Sequence, residues 1–120
     1  MNPFVCPDKI VISHLPHDMR AGIQRLAQIV TTDFGLDPTD GSLYLFVSRT
    51  ADKLKMLRFE TNGWCMYYCR LCEGAFRWSH SAGTDEPVLL IERRQLIWLL
   101  EGLSIAQPEA PKPLTATTIL

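Results

Sequence analysis

Between Leu43 and Leu71 the hydrophobic and polar positions read as three short strands separated by two turns, and this stretch predicts the centre of the fold. Residues 43 to 48 are apolar on both alternating faces, Leu43, Leu45 and Val47 against Tyr44 and Phe46, the pattern of a strand buried on two sides in mid-sheet. After a polar turn at residues 49 to 53, residues 54 to 60 set Lys55, Leu57 and Phe59 on one face and Leu54, Met56 and Arg58 on the other. Asn62-Gly63 offers two residues that tolerate positive φ, the requirement of a type I′ hairpin turn, and an aromatic-rich strand follows from Trp64 to Leu71. The expectation is a meander of three antiparallel strands.

Outside this stretch the period lengthens. Ile10 to Ser13 is a short β-branched run and predicts a strand at the sheet edge. From Asp18, whose carboxylate can cap free backbone N–H groups, apolar residues recur at Met19, Ile23, Leu26 and Val30, one stripe of a helix running to about Asp33 and stopping at Gly35. Arg20, Gln24 and Gln28 fall on its wetter side. Asp37 to Gly41 is dense in turn formers. Val88 to Ile91 predicts a further strand, and Glu92 to Glu101 a second amphipathic helix with Leu96, Leu99, Leu100 and Leu103 facing inward and Gly102 near its end. The predicted class is α+β, an antiparallel β-meander sheet with two amphipathic helices packed on it. Residues 1–104 are expected to form a single domain, and residues 105–120, with Pro108, Pro111 and Pro113, a flexible tail.

Composition narrows the chemistry. A chain of 120 residues, 47% hydrophobic, suffices for one core. The net charge of −1 supplies no global attraction to nucleic acid, but the charge is segregated. Residues 49 to 77 hold six basic side chains (Arg49, Lys53, Lys55, Arg58, Arg70, Arg77) against three acidic ones, leaving six against ten elsewhere. The plainer explanation is a solvated sheet face; the sharper one is a phosphate-binding surface, with Trp64, Tyr68, Phe76 and Trp78 as stacking faces. Any single aromatic in a small domain more often serves the core. The chain shows neither a leader-like basic and apolar start nor a run of about 18 apolar residues, so a cytoplasmic protein without a membrane partner is expected.

Cys65, Cys69 and Cys72 have the spacing C-x3-C-x2-C, superficially that of the loop holding an iron–sulfur cluster in radical enzymes. On a strand, however, Cys65 and Cys69 share a face about 13 Å apart, too far to hold one metal. Zinc would need Cys69 and Cys72, joined by Cys6 or His80, to converge within about 2.3 Å of the ion. Free thiols, with no metal and no cofactor, are the expectation, and a cytoplasmic location disfavours disulfides. His14, His17 and His80 stand beside no evident nucleophile or carboxylate pair, and no catalytic residue is predicted.

An ordered series runs through the chain: Asp18-Met19-Arg20 with Gly22, Leu26 and Ala27; Asp37-Pro38, Gly41, Leu43 and Phe46; and Asp52-Lys53-Leu54-Lys55 with Leu57. It continues through Gly63, Tyr67, Arg70-Leu71, Glu73-Gly74, Phe76, Trp78, Gln95-Leu96 and Leu99-Leu100-Glu101-Gly102. From about residue 10 to 103 this resembles the short second open-reading-frame protein (TnpB, Orf2-like) of the insertion sequence sixty-six family of bacterial transposable elements. The resemblance implies an accessory protein of transposition, encoded beside a larger transposase that holds the strand-transfer site. The residues agree: two-metal strand transfer needs clamping carboxylates, and the chain has no convincing acidic constellation. It departs from the family pattern at Cys69 and Cys72, where a basic and an acidic residue commonly flank the Arg-Leu pair, and at Ser79, where proline commonly follows the tryptophan.

Two functions are then expected. In the first, the protein helps the larger transposase assemble on element-end DNA, contacting it through Arg49, Lys53, Lys55, Arg58, Arg70 and Arg77, with Trp64, Tyr68 and Trp78 available for stacking. In the alternative it is a protein–protein adaptor for the transposase, with no direct DNA contact.

Overall fold

A computed structural model describes residues 7–78 and 86–106 of the chain. In sequence order the elements are β1 (Ile10–Ser13), α1 (Ile23–Thr32), β2 (Leu43–Val47), β3 (Lys53–Glu60), β4 (Gly63–Arg70), β5 (Val88–Ile91) and α2 (Arg93–Leu100). The strands form one sheet in the order β4-β3-β2-β1-β5. Every residue of β2 is buried, as its two apolar faces demand of a central strand. It pairs antiparallel with β3, and β3 antiparallel with β4, so the expected meander is present.

The sheet is nevertheless mixed, which corrects the antiparallel expectation. β1 lies parallel to β2 and β5 antiparallel to β1, so β1 is an interior strand and not an edge. Parallel neighbours cannot be joined by a hairpin, and the chain through α1 supplies the long crossover they need. All four residues of β1 are buried, the signature of an interior position that a four-residue window could not separate from an edge.

Alternation divides the apolar side chains into two clusters on opposite faces of the sheet. One combines Ile10, Ile12, Leu43, Leu45, Val47, Leu54 and Met56 with Leu96 and Leu99 of α2, Phe76 and Ile105. The other combines Val11, Tyr44, Phe46 and Leu57 with Leu26, Ile29 and Val30 of α1. The expected inward set of α2 is reduced to Leu96 and Leu99, since Leu100 and Leu103 are 38% and 47% exposed. An eight-residue helix brings only about two turns to the sheet, and the flanking positions turn outward.

Local chemistry sets the boundaries. α1 starts at Ile23 and not at Asp18, because the Asp18 carboxylate is engaged by Arg20: the backbone N–H of Arg20 donates to Oδ1 (2.8 Å) and its guanidinium to Oδ2 (2.7 Å). In α2, Glu92 and Gln95 form a capping box. At its other end Gly102, at φ +80°, lets the N–H groups of Gly102 and Leu103 return to Leu99 O (3.0 Å) and Trp98 O (2.8 Å). The β3–β4 turn sits one residue earlier than Asn62-Gly63. Glu60 pairs with Gly63, so Thr61 and Asn62 span the turn, and Thr61 takes the positive φ of 46°. This register sets Tyr67 opposite Met56, beside the core, and leaves the exposed, β-branched Thr61 to take the strained conformation at the tip of the turn.

The core continues to Ile105, whose N–H donates to Arg77 O at 3.0 Å, and residues 107–120 of the expected tail lie outside the described residues. No helix among the described residues is long and apolar enough to cross a membrane.

Candidate nucleic-acid interface

Two segments that are distant in sequence meet at one end of the sheet. Beyond β1 the chain continues alongside β2, where the His17 N–H donates to Val47 O (2.8 Å) and His17 bridges to Ser48. The β2–β3 connection folds tightly there: Ala51, at φ +60°, donates its N–H to Ser48 O (2.9 Å), and the Lys53 N–H donates to Ser48 Oγ (3.2 Å). Between them opens a groove of about 510 Å³, with His17, Asp18, Met19 and Arg20 on one wall and Ser48, Arg49, Thr50 and Lys53 on the other. The parallel pairing of β1 and β2 thus places the Asp18-Met19-Arg20 triplet beside Asp52-Lys53.

The groove lining carries three cations, Arg20, Arg49 and Lys53, against one carboxylate, Asp18. Register adds a fourth cation, because Arg70 on β4 lies directly opposite Lys53. Two carboxylates are engaged locally. Hydrogen bonds from the Arg20 side chain hold Asp18 down to about 2, and those from Thr50 and then Lys53 hold Asp52 at about 2. Among the described residues Arg49 and Arg70 form no ion pair within 4.0 Å, so positive charge predominates. His17 is part of the wall: burial disfavours its charged form and lowers its pKa, its ring lies 2.5 Å from Ser13 Oγ, and it stands edge-on to Phe46.

The other predicted basic residues are not all gathered here. Lys55 shares the face of Lys53 and Arg70, but its Nζ donates to Ala21 O (2.9 Å), tying down the approach to α1. Arg58 points to the opposite face. Its side chain is 11% exposed, its Nη1 lies 3.6 Å from the Glu60 carboxylate, and its Nε donates to Gly41 O at 3.2 Å. It lines a separate cleft with Asp8, Lys9 and Asp40, where two carboxylates balance two cations. Arg77 is exposed on the loop after β4, a loop whose Phe76 and Trp78 belong to the α2 cluster. Of the four basic residues on strands, Arg58 therefore faces away from Lys53, Lys55 and Arg70, as strand geometry requires, while Arg49 and Arg77 lie outside the strands. Arg20, read as a wet-side helix residue, was missed; the triplet containing it was the available signal.

The aromatic candidates divide as well. Trp64 is half-buried in the α1 cluster and meets Phe59 edge-to-face at 5.0 Å. Trp78 belongs to the α2 cluster, and its Nε1–H donates to Ser13 O at 3.1 Å. Tyr68, opposite Lys55 and 53% exposed, offers its ring to solvent. Cys65, Cys69 and Cys72 are free thiols; a hydrogen bond to Glu60 raises the pKa of Cys65, and burial raises that of Cys69. Among the described residues no three His, Cys, Asp or Glu side chains converge on a metal position; Cys6 and His80 lie outside them.

The profile of a family described as IS66 Orf2 like protein matches residues 8–110. A relative from Sinorhizobium fredii (strain NBRC 101917 / NGR234), the uncharacterized protein y4hO, is 34% identical over 92 residues, covering 77% of each chain. No solved structure is a significant match.

Proposed function

The chain belongs to the IS66 Orf2-like family of insertion-sequence accessory proteins, and from that membership we propose that it is a non-catalytic protein that holds the DNA backbone at element ends. In doing so it helps the larger transposase of the same element assemble there, in the bacterial cytoplasm. The observation that carries this reading is the convergence of Arg20, Arg49, Lys53 and Arg70 at one end of the sheet, two from the groove walls and two from paired strands. Cations spaced along an open groove suit successive phosphates, which fix register and orientation without reading sequence. Tyr68 on the same face is available to stack on an unpaired base.

The adaptor reading is favoured by a different observation: Ile97, Leu100 and Leu103, on and just after α2, expose apolar side chains away from the groove. A salt titration of binding to an element-end duplex separates the two. Four phosphate contacts give a slope of log affinity against log salt of about −3.6, and Arg49→Glu, Lys53→Glu and Arg70→Glu together remove about 2.7 of it. An affinity indifferent to salt and to these reversals, with capture of the transposase intact, establishes the adaptor instead.

A further inference from the structure

The two edges of the sheet are built differently. β5 is four residues long, follows Pro87 and is itself followed by Glu92, features that discourage further strand pairing. β4 has none of them: it is eight residues long, pairs with β3 without a bulge, contains no proline and carries a single charge, Arg70, at its end. The direction of its free hydrogen-bonding groups follows from pairing. The Leu71 N–H donates to Asp52 O (2.8 Å), so odd-numbered residues bond inward to β3. Trp64, Met66, Tyr68 and Arg70 therefore turn their N–H and C=O groups outward, and no other backbone group among the described residues meets them. Met66 and Tyr68 are also 36% and 53% exposed.

We propose that a second copy of this chain pairs along this edge, β4 antiparallel to β4, about a two-fold axis at Tyr67. Two constraints select that register. Pairing that preserves the faces must set outward residues opposite outward residues, and only an axis at Tyr67 gives all four an outward partner. Trp64 then faces the partner's Arg70 and Met66 faces the partner's Tyr68, each pair exchanging two main-chain hydrogen bonds. The side-chain pairs are complementary: a guanidinium beside an indole, a thioether beside a phenol, and no charge opposite a like charge. The axis keeps each sheet face continuous, so the two Lys53/Arg70 clusters emerge on the same side, about 20 Å apart along the strand direction at the usual rise for six residues.

The register makes a chemical prediction. Cys65 of one protomer lies opposite the partner's Cys69 as a non-hydrogen-bonded pair, with Cα atoms about 4.5 Å apart, within the span a disulfide can bridge. The test uses the full chain. Sedimentation of the reduced protein gives a concentration-dependent dimer, and diamide, which accepts the two thiol hydrogens, converts it to a covalent dimer joined through Cys65 and Cys69 in peptide mapping. Met66→Lys with Tyr68→Lys sets like charges directly across the axis and weakens dimerisation about tenfold or more. Because both side chains are exposed and neither belongs to a core cluster, circular dichroism of this variant remains that of the parent. A monomer at every concentration overturns the proposal, as does a dimer that survives the lysine pair or cross-links only through Cys72. None of these readouts depends on DNA binding.

Discussion

Lys53 and Arg58 are five residues apart on one strand, both long cations, and they belong to regions with opposite physics. Lys53 lies on the side of the sheet that opens into the groove, beside Arg49 and opposite Arg70, with its ammonium 3.0 Å from Asp52. Arg58 lies on the other face, almost closed off from solvent, with Glu60 and Gly41 O as partners. Alternation alone separates them, because successive strand residues point to opposite faces. The lesson is that a basic run in a strand is two half-sites, of which one can be a surface and the other a structural ion pair.

The largest effect that distinguishes the halves is in stability. Arg58→Ala leaves Glu60, itself only 9% exposed at the side chain, without its guanidinium, and is expected to cost about 3 kcal/mol, seen as a fall in the denaturation midpoint. Charge reversal there unfolds the protein instead of reporting on binding. Lys55→Met comes next: loss of the hydrogen bond to Ala21 O costs about 1 kcal/mol, and the salt dependence of DNA binding stays as it was. If Lys55→Met instead reduces the salt slope by about 0.9, Lys55 belongs to the groove side as a phosphate contact.

Smaller still are the changes at the groove. Lys53→Ala and Arg70→Ala each alter stability by less than about 0.5 kcal/mol, while each lowers the salt slope by about 0.9. Equal destabilisation by Lys53→Ala and Arg58→Ala would erase the distinction between the two faces. The finest probe is acid. Asp18 and Asp52 have folded pKa values of about 2 against an ordinary 3.8, so their stabilising contribution is complete above about pH 4 and is lost as pH falls toward 2. The Asp18→Asn, Asp52→Asn variant therefore shows a flatter loss of stability over that window in acid titrations followed by circular dichroism.

Local pattern sufficed for the three-strand meander, because Leu43 to Val47 is apolar on both faces and turn formers bound the two strands that follow. It also sufficed for α2, where Glu92, Gln95 and Gly102 provide chemical start and stop signals within a few residues. Where a local signal had two uses, a competing contact or the strand register chose between them. Asp18 had the chemistry of a helix cap, yet Arg20 was within reach of the same carboxylate, and the helix began five residues later. Asn62-Gly63 had the composition of the turn, yet the register that sets Tyr67 opposite Met56 moved the turn to Thr61-Asn62.

The sequence by itself determined the element types, the central strand, the segregation of charge and the family to which the chain belongs, since each is written in residue identity and spacing along a short stretch. Tertiary structure alone decided that β1 is interior and parallel to β2, that Arg20 joins Arg49, Lys53 and Arg70, and that Arg58 is withdrawn into an ion pair. These facts depend on which segments become neighbours across the sheet. That choice is made by burial of two faces and a long crossover, and neither is encoded in any window short enough to read.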